Sequence, residues 1–211
     1  VYNNINWTGF AGTVPNSVRT ITGSWTNPAS GITWTAGANT TTFAPQAGSP
    51  TITTNGVTLD FPITFDGVGG TFRLQDALTV GSTRTTTLTN GTLNLNDLTL
   101  TTGLFSSSNS NTRTIAFGTG NISCSGTGSA WTVLTTTNLT VTGTPVVNVT
   151  SAGSTPITVS QGTLSEASSI SFNFTGGTYS LAVLATNGYT ARNLNFTGFA
   201  LNGFNFRRVR F

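Results

Sequence analysis

The side chains able to do covalent or acid–base chemistry are few: five carboxylates including Asp60, Asp66, Asp76 and Glu166, one thiol at Cys124, and eight arginines, with neither histidine nor lysine. Two carboxylates about 5 to 9.5 Å apart can cleave a glycosidic bond, one as acid and the other as nucleophile or base. Asp60, in the alternating stretch Leu59–Phe65, and Asp66, just past it, lie six residues apart on one strand face. A straight strand advances about 3.3 Å per residue, which sets them about 20 Å apart, too far to serve one bond. Asp66 before Gly67 reads as a turn residue, Asp76 as a partner for the nearby Arg73, and Glu166 stands alone.

Cys124 follows Ile122 on one side of a strand and reads as a small buried hydrophobe, since no histidine is present to activate it. A lone cysteine forms no internal disulfide. Zinc lacks its ligands, and Gly118-Thr119-Gly120-Asn121, the nearest approach to a calcium-binding solenoid motif, neither repeats nor carries a carboxylate. This inventory excludes the common acid–base, nucleophilic and metal chemistries. We assign no catalytic, cofactor-binding or metal-ligating residue, expect no cofactor, and read the chain as non-enzymatic.

The elements that would hold these residues are strands. Charged residues make up 6% of the 211, against about 25% in an average soluble domain. Thr, Val, Ile and Phe favour strands, Asn and Gly favour turns, and strong helix formers are scarce. Hydrophobic residues at 36%, with 14 Phe and 4 Trp at strand spacing, argue against disorder. No run is long and apolar enough for a membrane span. The net charge of +3 is concentrated near the C-terminus, where Arg192, Arg207, Arg208 and Arg210 lie. Phe206–Phe211 reads as a strand end with outward arginines, and no nucleic-acid partner is expected.

Short apolar alternations separated by turns recur along the chain: Leu93/Leu95 then Leu98/Leu100, Ile115/Phe117 then Ile122/Cys124, Leu139/Val141 then Val147/Val149, and Ile170/Phe172/Phe174. Asn-Gly pairs at 55, 90, 187 and 202 suit tight turns. Strands this short, with phase-shifting Asn/Gly corners and outward Thr and Asn, predict an all-β parallel β-solenoid; a β-sandwich or jelly roll is the alternative. Asn4–Ala11 aligns without gaps on Asn193–Ala200, six of eight residues being identical, an offset of 193 − 4 = 189 residues. The expected organisation is a less regular segment at 1–50 that starts a long repeat, main coils at 51–192, and the start of the next repeat at 193–211. Neither end reads as a natural terminus.

Leu59–Gly70, Leu88–Leu95, Ser106–Ile115 and Leu194–Phe199 resemble the long repetitive β-helical proteins of marine bacteriophages and environmental bacteria. The resemblance implies a structural, non-catalytic module of a phage fibre or virion appendage, located in the virion or at a cell surface. It would associate with tandem neighbouring repeats or as a homo-oligomer, through end aromatics such as Trp7, Trp25, Trp34 and Tyr189 where these are not core. A bacterial cell-surface adhesin module, with a host-surface glycan or receptor as its partner, is the alternative. A third reading is ice binding, which needs a Thr pair at the same place on every coil, whereas here pairs such as Thr99/Thr101 drift against the leucines. Asn-x-Ser/Thr sequons at Asn6, Asn39, Asn90, Asn121, Asn138, Asn148, Asn173 and Asn195 follow from composition and imply no glycan.

Overall fold

The computed structural model describes residues 1–151, 157–176, 181–183, 189–197, 204–206 and 209–210. The chain is all-β and winds as a parallel β-solenoid of about 8 turns. Every ladder between its described strands is parallel. Parallel neighbours cannot be joined by a hairpin, so each strand pairs with the one a full coil later, 19 to 29 residues on, and the path between them must turn corners.

The coil has three faces. Arg19–Ile21, Thr41–Phe43, the start of Ile63–Leu74, the start of Thr85–Asn94, Leu104–Ser106, Gly128–Val133 and Ile157–Gln161 stack on the first. Ile5–Asn6, Trp25–Thr26, Thr51–Thr53, the ends of those two long strands, Arg113–Ala116 and Leu139–Thr142 stack on the second. The third opens with Gly12–Val14 on Ile32–Trp34, then runs from Leu78–Thr79 through Thr99–Thr102, Asn121–Cys124, Val146–Val149 and Ile170–Phe174 to Tyr189–Asn195.

One side of each strand points inward, so alternate residues stack into apolar columns. Phe72, Leu93, Ile115 and Val141 form one; Leu78, Leu100, Ile122, Val147 and Phe172 form another, all of them buried. Each rung of such a column stabilises the fold by roughly 1.5–3 kcal/mol for a fully buried Leu, Ile or Phe. In the first coils the interior is aromatic instead. Trp25 packs against Trp34 at 5.0 Å between ring centroids, Trp34 against Phe61 at 5.5 Å, and Phe43 stacks on Phe65 at 5.6 Å.

The alternation Leu59–Phe65 is not one strand, contrary to the reading above. Leu59 bridges Val80, Asp60–Pro62 turns a corner, and the first face resumes at Ile63. Pro62 has no N–H to give a ladder, which suits it to the corner, where its carbonyl accepts from Thr41 N–H at 3.0 Å. Asn55 and Gly56 form a tight turn at φ 51° and 76° as anticipated, but Asn90-Gly91 lies inside a strand, where the register shifts between Leu88 and Thr92. The remaining Asn-Gly pairs, at 187 and 202, lie outside the described residues.

The two end segments share a turn but not a place in the coil. Asn6 Oδ1 accepts from Thr8 N–H at 2.9 Å and Asn195 Oδ1 from Thr197 N–H at 3.0 Å. Yet Ile5–Asn6 sits on the second face and Asn193–Asn195 on the third. Residues 198–200 lie outside the described residues.

Candidate functional site

Each aspartate is held by a neighbouring coil. Asp60 pairs with Arg84, its Oδ1 accepting from Nε at 2.8 Å, an ion pair 24 residues apart in sequence. Asp66 accepts from the side-chain amide of Asn90. Asp97 accepts Thr119 N–H at 2.7 Å and its hydroxyl at 3.1 Å. Gly118 lies beneath that carboxylate at φ 60°, where a Cβ would collide with Asp97 Oδ1. This explains Gly118-Thr119-Gly120-Asn121 as a corner capped from the coil before it.

Asp76 does not pair with Arg73. Its Oδ1 takes Thr54 N–H at 2.8 Å and the Thr54 hydroxyl at 3.2 Å, and its Oδ2 takes Asn55 N–H. Arg73 donates instead to Asn96 Oδ1 at 2.8 Å. Arg73 lies on the strand that ends at Leu74 and Asp76 in the bend beyond it, so sequence proximity misleads here. Glu166 opens a single 3-10 turn, Glu166–Ser168. Among the described residues no three His, Cys, Asp or Glu side chains gather as a metal site.

Cys124 is fully buried on the third face beneath Val149, and burial pushes its thiol up to about 12. The thiolate is the reactive form, so this sulfur is inert at neutral pH. Two arginines are buried as well, which the sequence did not signal. Arg113, 1% exposed, donates from Nε to Ser107 Oγ at 2.8 Å, from Nη1 to the carbonyls of Asn111 and Thr137 at 2.9 Å each, and from Nη2 to Ser107 O at 2.9 Å and to Thr135 O. Arg19 donates to Ser17 O at 3.2 Å and Pro15 O at 2.6 Å, and its guanidinium lies 5.0 Å from the Trp34 ring centroid. Burial lowers the pKa of both, and each remains charged at neutral pH.

The outward polar residues form registered columns. Thr20, Thr42, Thr64, Thr87, Ser106, Thr132 and Ser160 put one hydroxyl residue on each of seven successive coils of the first face. Thr71, Thr92, Thr114 and Thr140 do the same on four coils of the second. Pairs such as Thr99/Thr101 do drift as read, facing Asn121 and Ser123 on the next coil. Two residues before the first of these columns stand Val18, Thr40, Pro62, Thr85 and Leu104, so the column has no second threonine row beside it. On the third face asparagines join coil to coil: Asn121 Nδ2 donates to Thr99 Oγ1 at 3.1 Å, Asn148 Nδ2 to Asn121 Oδ1 at 3.0 Å, and Asn173 Nδ2 to Asn148 Oδ1 at 3.0 Å. Three other sequon asparagines, Asn39, Asn90 and Asn138, also donate to an adjacent coil.

A groove of about 410 Å³ crosses four coils at the corner between the first and second faces. Asn90, Asn111 and Asn138 line it, with Gly69 and Gly91 opening its floor and Val68 exposed at its rim. Of the aromatics considered for joining modules, Trp25 and Trp34 are core, while Trp7 is half-buried and packs edge-on to Phe10 at 5.3 Å and Trp34 at 5.6 Å. The Tyr189 side chain, Arg207 and Arg208 lie outside the described residues. Arg192 is exposed and donates to Ala167 O at 3.1 Å. Among the described residues no helix is long and apolar enough to cross a membrane. No family model, no curated protein and no solved structure matches the chain.

Proposed function

We propose that this chain is a non-catalytic structural module of a phage fibre or another virion appendage. The observation that supports it most is where the polar side chains are spent. The four aspartates, Arg113 and the asparagines Asn39, Asn90, Asn121, Asn138, Asn148 and Asn173 are all spent on bonds to an adjacent coil. Coils tied to one another by main-chain ladders, side-chain columns and capped corners transmit load along the axis. Each coil contacts only its neighbours, so stiffness and length scale with coil number. At roughly 4.8 Å per coil the stack of about eight extends some 40 Å.

An antibody raised against the chain should decorate a fibre or appendage of purified virions in electron micrographs. Labelling of a bacterial envelope in place of the virion would overturn the reading and favour the adhesin. The asparagine-lined groove supports that second reading, since side-chain amides suit sugar hydroxyls. Binding on a glycan array that is lost in Asn111→Ala would establish it.

A further inference from the structure

The groove at the corner between the first and second faces is periodic along the rod. Gly91, Arg113 and Leu139 share one register position on three successive coils. The residues just before that position, Asn90, Thr112 and Asn138, therefore form a column, and Thr92 and Thr114 just after it form another. All five line the groove. Between the columns Gly91 has no side chain and Arg113 is buried, so the floor there is main chain. The groove is a track with two polar rows about 7 Å apart along the strand and rungs roughly 4.8 Å apart along the axis.

Bonds already made decide what the track can bind. Asn90 donates its side-chain amide to Asp66, Asn111 to Thr89 O at 3.2 Å and Asn138 to Ser110 O at 2.9 Å, each toward the coil before. One N–H thus orients each amide, and among the described residues nothing donates to the three Oδ1 atoms. The hydroxyls of Thr92, Thr112 and Thr114 are likewise without a protein partner among the described residues. Arg113 is the reverse case. All five of its N–H groups already meet protein oxygens, so it has none to give an anion. What remains is a double row of neutral groups that both accept and donate, which matches hydroxyls and offers a carboxylate or sulfate no cation.

The spacing selects the shape of the ligand. In an extended β-1,4-linked chain each pyranose advances by close to the rise of one coil, and its equatorial hydroxyls stand on both edges of the ring, about as far apart as the two rows. We infer that this groove binds an unbranched, uncharged β-1,4-linked glycan lying along the rod axis, one sugar on each coil. The inference rests on the glycan-binding reading and names the ligand's charge, linkage and direction. No aromatic ring lines the groove, so affinity comes from hydrogen bonds and builds with length. Four coils are crossed, so about four sugars fill the track.

NMR titration of the full 211-residue chain tests it with β-1,4-linked glucose and mannose oligomers of two to eight sugars, beside the corresponding glucuronate and mannuronate oligomers. The expected result is an affinity for a neutral series that rises with each sugar up to about four and then levels, with its uronate counterpart bound about tenfold or more weakly. Thr92→Val with Thr114→Val keeps the branched shape and removes both hydroxyls of one row. It should weaken binding about tenfold with the melting temperature unchanged. No binding by either neutral series, an affinity independent of length, uronates bound as well as neutral chains, or an unimpaired valine variant would each overturn the inference. A glycan-array signal lost in Asn111→Ala beside an affinity independent of length would leave glycan binding standing and overturn the axial track alone.

Discussion

Arg19 and Arg113 are both buried at corners, both without a carboxylate, and they are held in different ways. Arg113 spans two coils. It takes oxygen partners from Ser107 and Asn111 in its own coil and from Thr135 and Thr137 in the next, so main-chain carbonyls and one hydroxyl replace its water. Arg19 reaches back only to Pro15 and Ser17, and meets the next coil through the Trp34 face. A charge-poor chain can therefore bury a guanidinium without a counterion, because partial negative charge from several carbonyls or an aromatic face does the same work. The middle of the rod uses the first device and the aromatic N-terminal end uses the second.

The largest expected effect separates the two. Arg113→Ala removes five donors at once and leaves the Thr135, Thr137, Asn111 and Ser107 acceptors facing a void, so we expect a loss of roughly 3–5 kcal/mol in denaturant titrations. Arg113→Lys should recover little, since one ammonium cannot meet oxygens arranged around a planar fork. Near-complete rescue by lysine would show that charge alone, and not the fork, holds this corner.

Alkaline pH probes the same middle region through Cys124. Its thiol ionises in the unfolded chain near the ordinary value of 9.0 and is pushed up to about 12 when folded. The unfolded state therefore releases its proton first, and stability falls as pH rises from about 9 toward 12. By pH 10.5 this amounts to about 2 kcal/mol, recovered in Cys124→Ala after correction for its loss at pH 7. A pH profile identical in the two proteins would mean that the thiol is less buried than its column implies.

Much of this architecture could be read from the sequence, because alternation and corner residues are local signals. Ile122/Cys124, Val147/Val149 and Phe172/Phe174 announce inward pairs, and they do stack on the third face. What failed to show were the partners one coil away. Arg84 is no closer in sequence to Asp60 than many other residues, and the Asp76 contact to Thr54 runs backward by 22 residues to a different coil. Coil length varies, from the 20 residues between Ile5 and Trp25 to the 27 between Trp25 and Ile52, so no fixed offset predicts such pairs. The same variation hid the single hydroxyl columns, while threonine pairs such as Thr99/Thr101, which face Asn121 and Ser123, do not repeat from coil to coil. It also places Asn4–Thr8 and Asn193–Thr197 on different faces despite their shared turn.

At the aromatic end the expected effects are smaller. Arg19→Ala gives up two carbonyl bonds and the Trp34 face, and we expect a loss of about 2 kcal/mol. A double-mutant cycle with Trp34→Leu isolates the contact across coils, expected to couple by about 0.5–1 kcal/mol. A coupling near zero would return Arg19 to its own coil alone. The comparison with Arg113 would then be between a bridge and a local brace.

The smallest effect belongs to the asparagine column, where the connection between coils is made at half-exposed positions. Asn148 donates to Asn121 and accepts from Asn173, so Asn148→Ala breaks two side-chain bonds between three coils. Water reaches these groups and can replace what is lost, which limits the expected cost to about 1 kcal/mol, against several for the enclosed Arg113. Asn148→Asp keeps an acceptor for Asn173 but sets a carboxylate against Asn121 Oδ1 with no donor to offer, so it should cost more than alanine despite its closer shape. Aspartate tolerated as well as asparagine would mean that the column stacks by shape and hydration. In that case the coils of the third face are joined by their main-chain ladder and apolar interior, and the enclosed arginine corners are where side-chain bonding sets the strength of the rod.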